Sequence, residues 1–216
     1  MSESILDQTP NCVIDLREMG DRYGLEMTDI VKDGKVIMRD HVWTQEALQK
    51  AVAECVQRAK GAEVAELRGH LPNWALSAMA SAIYPTVCFF RIGPGGIYEL
   101  TSTPFPVSAA QPDFGMYFEV EEQGDNVYVK AMTDNPHADA HGFDLTKFDS
   151  IFMPPIPACK NVFLSGETVN PVAVSMALTY AATARSIYMR FHEEPDYHCC
   201  VTHTKEIAIG DAIPVR

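Results

Sequence analysis

The sequence predicts an α/β protein made of two similar mixed-sheet modules, each on a β-β-α-β-α-β-β plan, packed together as a pseudo-dimer. Three observations lead there. The chain runs through one order of motifs twice, and each copy holds a short apolar strand, a glycine, a small-residue helix and another buried strand. The composition is that of a protein with a substantial core: 47% of the 216 residues are hydrophobic and 21% charged. Length alone fits one larger domain or two small ones. The repeat selects two modules of roughly a hundred residues, residues 1–105 and 106–216.

The first match pairs Tyr23-Gly24-Leu25-Glu26-Met27 and Lys32 to Met38 with Phe114-Gly115-Met116-Tyr117-Phe118 and Gln123 to Val129. Both stretches read as β-hairpins turning at a glycine. In the first copy Thr44 can then cap a helix that carries Leu48, Ala51, Val52, Cys55, Val56 and Ala59 on one face. Its counterpart, Asn135 to Lys160, is rich in proline and polar residues, and reads as a long loop with at most one helical turn. Next, Ala65-Glu66-Leu67-Arg68-Gly69 matches Val162-Phe163-Leu164-Ser165-Gly166, a strand ending in glycine before a helix with one proline near its start. Cys88 to Ile92 matches Ser186 to Arg190 as a buried strand, and Ile97 to Thr103 matches Cys199 to Thr204 as the last one. The strand-helix-strand unit over 65–68, 71–84 and 87–92 implies a parallel pair joined by a right-handed crossover. The proline-marked stretch from Thr103 to Pro112 divides the halves.

Charge removes one class of partner. With 29 acidic against 17 basic side chains the formal net charge is −12, so the whole-molecule field repels polyanions and general DNA or RNA binding is not expected. No run of about 18 apolar residues suggests a membrane span, and Met1 to Asp7 lacks the basic patch and apolar stretch of a secretory signal. The expected location is the cytoplasm, where the six cysteines would stay reduced, most of them as small buried hydrophobes.

A glycine between a strand and a helix lets backbone pass close to a ligand, and the free N–H groups at the helix start form an anion site. Leu67 to Trp74 offers this arrangement once and Ser165 to Pro171 again. In the first copy Arg68 and His70 flank Gly69, whereas in the second Glu167 stands where an anion would be repelled, so the two sites are not equivalent. The competing reading is that each glycine serves its turn alone. Gly93-Pro94-Gly95-Gly96 precedes a strand and lacks the lysine of a phosphate loop, and reads as a hairpin turn.

Arg68-Gly69-His70-Leu71-Pro72-Asn73-Trp74, and the pattern from Leu164-Ser165-Gly166 through Tyr188 to Thr202-His203-Thr204 and Gly210-Asp211, resemble the CRISPR-associated Csx-three family. The resemblance implies a ring nuclease that binds cyclic tetra-adenylate, the second messenger of type III CRISPR defence, and cuts it. It implies His203 as the catalytic residue, with Arg68, Gly69, His70 and Arg91 contacting ligand in one copy and Ser165, Gly166 and Arg190 in the other. Where the family has Tyr-Asp-Pro-Arg, this chain has Arg91-Ile92-Gly93-Pro94 and Arg190-Phe191-His192, so the family's acid is missing from both copies. Binding therefore follows from the resemblance more directly than cleavage does, and a sensor or sponge for the nucleotide is the alternative.

In such chemistry a histidine would move the proton, Arg190 or Lys205 would steady phosphate charge, and Trp74 or Tyr188 could stack adenine unless, as Trp74's helical position suggests, it is core. No cofactor is called for. A divalent metal such as manganese is admitted by His192, His198, Cys199, Cys200 and His203, with His137 and His141 elsewhere, although the spacing is not a recurrent zinc pattern and only two or three of these side chains would share a face. A non-enzymatic interaction scaffold holding a metal near His198 and Cys200 is the reading from another class.

Overall fold

The computed structural model describes residues 10–32, 35–69, 71–92, 98–110, 115–133, 145–166, 168–190 and 195–215. They form an α/β protein with two sheet-containing halves. In the first, strand β1 (Cys12–Asp15) ends at an aspartate that also starts helix α1 (Leu16–Arg22): the Asp15 carboxylate accepts from the Arg17 and Glu18 N–H groups, both at 3.0 Å. Strands β2 (Met27–Lys32) and β3 (Lys35–His41) form an antiparallel hairpin. Helix α2 (Gln45–Arg58) begins at the expected Thr44 cap, whose hydroxyl accepts from the Ala47 N–H at 3.2 Å, and buries Ala47, Leu48, Ala51 and Cys55. Strand β4 (Val64–Arg68), helix α3 (Asn73–Ile83) and strand β5 (Val87–Ile92) make the expected parallel unit, and β6 (Tyr98–Ser102) returns antiparallel.

The second half opens with the hairpin β7 (Met116–Gln123) and β8 (Asn126–Thr133). The long connection holds a short 3-10 helix, Leu145–Ser150, about two turns at three residues each where at most one was expected. Strand β9 (Asn161–Gly166), helix α4 (Asn170–Ala181), strands β10 (Ser186–Met189) and β11 (Asp196–Thr202), and the short β12 (Ala212–Pro214) complete the chain.

The two sheet orders share a pattern that departs at one place from the repeat expected from the sequence. The first sheet runs β1-β4-β5-β6 and the second β12-β11-β10-β9-β8-β7. In each, three consecutive parallel strands are followed by an antiparallel one: β1, β4, β5 and β6 against β8, β9, β10 and β11. The place of β8 is thus taken in the first half by β1, and not by the β2–β3 hairpin that matches β7–β8 in sequence. The described residues of the two segments differ in burial. Ile14 of β1 is fully buried, whereas the hairpin exposes Thr28, Asp29, Lys35, Val36 and Arg39, with Arg39 and Asp29 paired at 2.7 Å across it.

Helices α3 and α4, equivalent in the repeat, pack against each other; α3 also reaches β10 and β11 of the second half, and α4 reaches β6 of the first. Contact on several sides explains their composition. Every residue of Asn73–Ala80 and of Pro171–Leu178 is buried, and both segments are built from alanine, serine and a few larger apolar side chains with no charge. One apolar core contains Ile14, Leu48 and Met79 from the first half together with Leu164, Met176 and Ile187 from the second. Hydrogen bonds tie the halves further: Ser102 Oγ donates to the Pro171 carbonyl at 2.9 Å, and Gln45 Nε2 donates to the Asp211 carboxylate at 2.7 Å. Among the described residues no helix is long and apolar enough to cross a membrane.

Gly166 is fixed by backbone shape and by space at once. Its φ is 117°, and a Cβ there would stand 2.3 Å from the Ala131 carbonyl oxygen of β8. Gly166→Ala is expected to cost about 2–4 kcal/mol in urea unfolding. Gly124→Ala, at φ 61° with nothing within 4 Å of the new Cβ, should cost only about 1–2 kcal/mol. Equal losses would defeat the account based on the β8 contact.

Candidate functional site

The two strand-glycine-helix turns differ in what surrounds them. At the first, Glu66 lies on the outer side of β4 with its side chain 4% exposed, and both nearby arginines converge on it. Arg68 donates to Glu66 Oε2 at 2.9 Å, Arg91 Nε lies 3.1 Å from Oε1, and Arg91 also stands 3.5 Å from Glu99. The two guanidinium groups expected to meet a phosphate are therefore already matched by carboxylates. Gly69, at φ 108°, presses the turn against the start of α1: a Cβ would lie 3.2 Å from Leu16 Cβ. His70 lies outside the described residues.

At the second turn, Ser165, Gly166 and Arg190 come together. They line a shallow depression with Asn73, Leu164, Thr168, Met176 and Met189, too narrow to enclose a water molecule. Strand pairing explains the convergence, since Met189 registers with Leu164 and the Arg190 N–H donates to the Leu164 carbonyl at 3.1 Å, which sets Arg190 beside the end of β9. The Arg190 guanidinium lies over the Tyr197 ring, 5.4 Å from its centroid, and has no carboxylate partner among the described residues. Beside it α4 starts at Val169, a cap without a side-chain acceptor, and has a proline in its first turn. The first-turn N–H groups of a helix lack intrahelical partners, so the positive end of the peptide dipoles faces this region. Glu167 lies outside the described residues.

One wall of the pocket comes from the other half of the chain. Asn73, the first residue of α3, is 3% exposed, and its Nδ2 donates to the Thr168 carbonyl at 3.0 Å and contacts the Thr168 hydroxyl at 3.3 Å. A carbonyl oxygen only accepts, so this bond fixes which end of the amide is nitrogen. Asn73 Oδ1 is buried without a hydrogen-bond partner. The sequence placed Asn73 inside the motif but gave it no role; the signal was an amide at the start of a helix that is otherwise apolar.

His203 does not join this site. It follows β11, whose Thr202 registers with Ser186 at the start of β10, whereas Arg190 follows the end of β10. Its ring Nε2 is 2.7 Å from the Ala181 carbonyl at the C-terminal end of α4, while the pocket lies at the N-terminal end of that helix. Lys205 lies beyond it on the same exposed stretch. The rings considered for adenine are packed inside. Trp74, 5% exposed, stacks on His198 with centroids 4.5 Å apart, and Tyr188, 3% exposed, stacks on Phe163 at 4.8 Å. Burial pushes the Tyr188 hydroxyl up to about 12.

The cysteines beside His198 point to opposite faces. Cys199 belongs to the outer aromatic cluster with Phe163, Tyr188 and Tyr197, while Cys200 sits in the main core, where a register shift lets Cys200 and Val201 both face inward. Their thiols lie 3.4 Å and 3.5 Å from the Val201 and Ile187 carbonyls. Among the described residues no group of three or more histidine, cysteine or acidic side chains is placed to hold a metal; His137, His141 and His192 lie outside them. Compared with protein-family models and with curated protein sequences, the chain matches none.

Two outcomes follow. Glu66→Gln should destabilise the fold by about 1–2 kcal/mol in denaturant melts, because it leaves two half-exposed guanidinium groups without their buried counter-charge; no change would mean that the cluster is only a surface pairing. Burial pushes the thiols of Cys55, Cys88 and Cys199 up to about 12 and that of Cys200 well above the ordinary value, so they are neutral near pH 8. A thiol reagent at that pH, read by mass spectrometry, should label exposed Cys159 first and these four only after denaturation; rapid native labelling of Cys199 would contradict the packing of the outer cluster.

Proposed function

We infer that the chain binds a cyclic oligoadenylate, with one phosphate seated at the Gly166 turn against Arg190 and the start of α4, in two modules that act as a pseudo-dimer. The observation that carries this reading is the pocket where Ser165, Gly166 and Arg190 meet, at the carboxyl ends of parallel strands, where α/β sheets hold ligands. Resemblance of the motifs to ring nucleases supplies the ligand class. The Arg190 guanidinium, without a carboxylate partner among the described residues, supplies the charge. Arg68 and Arg91, matched by Glu66 and Glu99, are weaker candidates for a phosphate.

Binding without rapid cleavage fits the residues better than hydrolysis does. In-line attack by a ribose 2′-hydroxyl needs a proton acceptor beside the reacting phosphate, and His203 lies at the opposite end of α4 from the pocket. A sensor or sponge is therefore preferred to a ring nuclease, and both to a metal-bearing scaffold.

Titration with cyclic tetra-adenylate is expected to raise the melting temperature and to give micromolar or tighter binding. Arg190→Gln should weaken it by about tenfold or more, roughly the 1.4 kcal/mol that a charge-assisted contact supplies, while Arg68→Gln leaves it within about twofold. Neither binding nor a thermal shift would overturn the reading. Linear products formed at a rate that His203→Ala lowers strongly would replace the sensor by a nuclease, and turnover unchanged in that variant would remove His203 from the mechanism.

A further inference from the structure

The outer face of the second sheet, turned away from α3 and α4, carries a row of polar side chains without a counter-charge. Val129, Leu164 and Met189 are buried in the core, so the next residues, Lys130, Ser165 and Arg190, point outward. Pairing sets the three side by side: Lys130 registers with Ser165, and Met189 registers with Leu164, which brings Arg190 to the other flank of Ser165. At about 4.8 Å between neighbouring strands, the two cationic residues leave the backbone roughly 10 Å apart with a hydroxyl between them. Lys130 is exposed and Arg190 half-buried, and among the described residues neither forms an ion pair with a carboxylate, although Glu119 stands opposite Lys130 in register. The corresponding row of the first sheet is Asp15, Arg68 and Arg91, and there Glu66 engages both arginines. The row is closed in one half and open in the other.

A ring stands beside the open row. Tyr128, two residues before Lys130 and on the same face, stacks on Phe163 with centroids 4.7 Å apart, and Phe163 stacks on Tyr188 at 4.8 Å. Those spacings match the separation of the strands, so the rings stand face to face across the sheet and Tyr128 ends the ladder. Its second face is turned to β7, where the paired residue is the exposed Glu121. Phe163 and Tyr188 are buried, whereas Tyr128 is partly exposed. Two residues along a strand cover about 6.6 Å, comparable with the span from phosphate to base in one nucleotide. We propose that this face seats one nucleotide unit, its phosphate between Lys130 and Arg190 against the Ser165 hydroxyl and its base stacked on the open side of Tyr128. The proposal rests on the cyclic oligoadenylate reading above and names the residues beyond Arg190 that hold one unit of that ligand. Phosphate oxygens accept from both cations and from the hydroxyl, and the Arg190 guanidinium is already ordered by its contact with Tyr197. A tyrosine face stacks any base, so the site recognises a nucleotide without reading its sequence. Lys130, Ser165, Arg190 and Tyr128 all reach the surface, and a ligand meets them without opening the fold.

The test titrates cyclic tetra-adenylate calorimetrically into the unaltered chain and into Lys130→Gln, Tyr128→Leu and Tyr128→Phe, with the exposed Lys60→Gln as the control for lost charge. Lys130→Gln is expected to weaken binding about fivefold or more, and Lys60→Gln by less than about twofold, because a distant charge is screened. Tyr128→Leu should also weaken it about fivefold or more, in line with the loss of one base stack, while Tyr128→Phe, which keeps the ring, stays within about twofold. Lys130→Gln or Tyr128→Leu binding within about twofold of the unaltered chain overturns the proposal and leaves the functional reading in place. Equal weakening by Lys60→Gln overturns it as well, because the loss is then a field effect, and equal weakening by Tyr128→Phe does so because the loss then belongs to the hydroxyl. Failure of the unaltered chain to bind overturns the functional reading and this proposal with it. Should Tyr128→Leu not fold, Lys130→Gln, at an exposed position, decides alone.

Discussion

Two helices with no polar face, Asn73–Ile83 and Asn170–Ala181, can be stable in water only if they are covered on every side. That single requirement organises the molecule. Helix α4 packs on its own strands β9, β10 and β11, on α3 and on β6 of the opposite half, while α3 packs on α2, on α4 and on β10 and β11 of the opposite half. Their alanines and serines allow the close approach that this demands, and leave little room for change, since a larger side chain would have to displace a neighbour on some face. A half separated from the other would expose one whole side of its helix, so the two halves share one core where two independent domains would have two.

The candidate site is a by-product of this arrangement. A helix squeezed between two halves must begin somewhere near their seam, and α3 begins with Asn73 against Thr168, just before the start of α4. Polar backbone groups at helix starts need partners, and neither α3 nor α4 has a side-chain cap, in contrast to α1 with Asp15 and α2 with Thr44. The two helices capped by side chains are those nearer the surface. The two without such caps meet at the pocket, beside a glycine turn and an arginine.

What could be read from the sequence was local. Thr44 and the face Leu48, Ala51, Cys55 specify α2, because a cap and a 3.6-residue period suffice; Gly124 between alternating residues specifies the β7–β8 hairpin; and the strand, glycine and helix around Gly69 specify the β4–α3–β5 unit. Non-local pairing was not legible. Strand β1 has four residues, of which only Ile14 is fully buried, and nothing in so short a segment announces that it will displace a longer hairpin from the sheet. Arg68 and Arg91 read as phosphate ligands because the carboxylate that engages both, Glu66, looks in sequence like one more exposed strand residue. The motif resemblance names His203, and order along the chain does not say which end of a sheet it reaches; the antiparallel register of β11 on β10 sets it at the opposite end of α4 from Arg190.

The charge of −12 bears on how such a site works. A polyanionic ligand approaching from a distance meets a repulsive field, so association gains no long-range steering. At physiological ionic strength that field is screened over about 8 Å, whereas contacts in the pocket act at hydrogen-bond distance. Affinity must then come from a few short-range donors: the guanidinium of Arg190 and the start of α4, with the glycine turn allowing close approach. In such a balance a phosphate alone is held weakly, because any cationic surface could hold it as well.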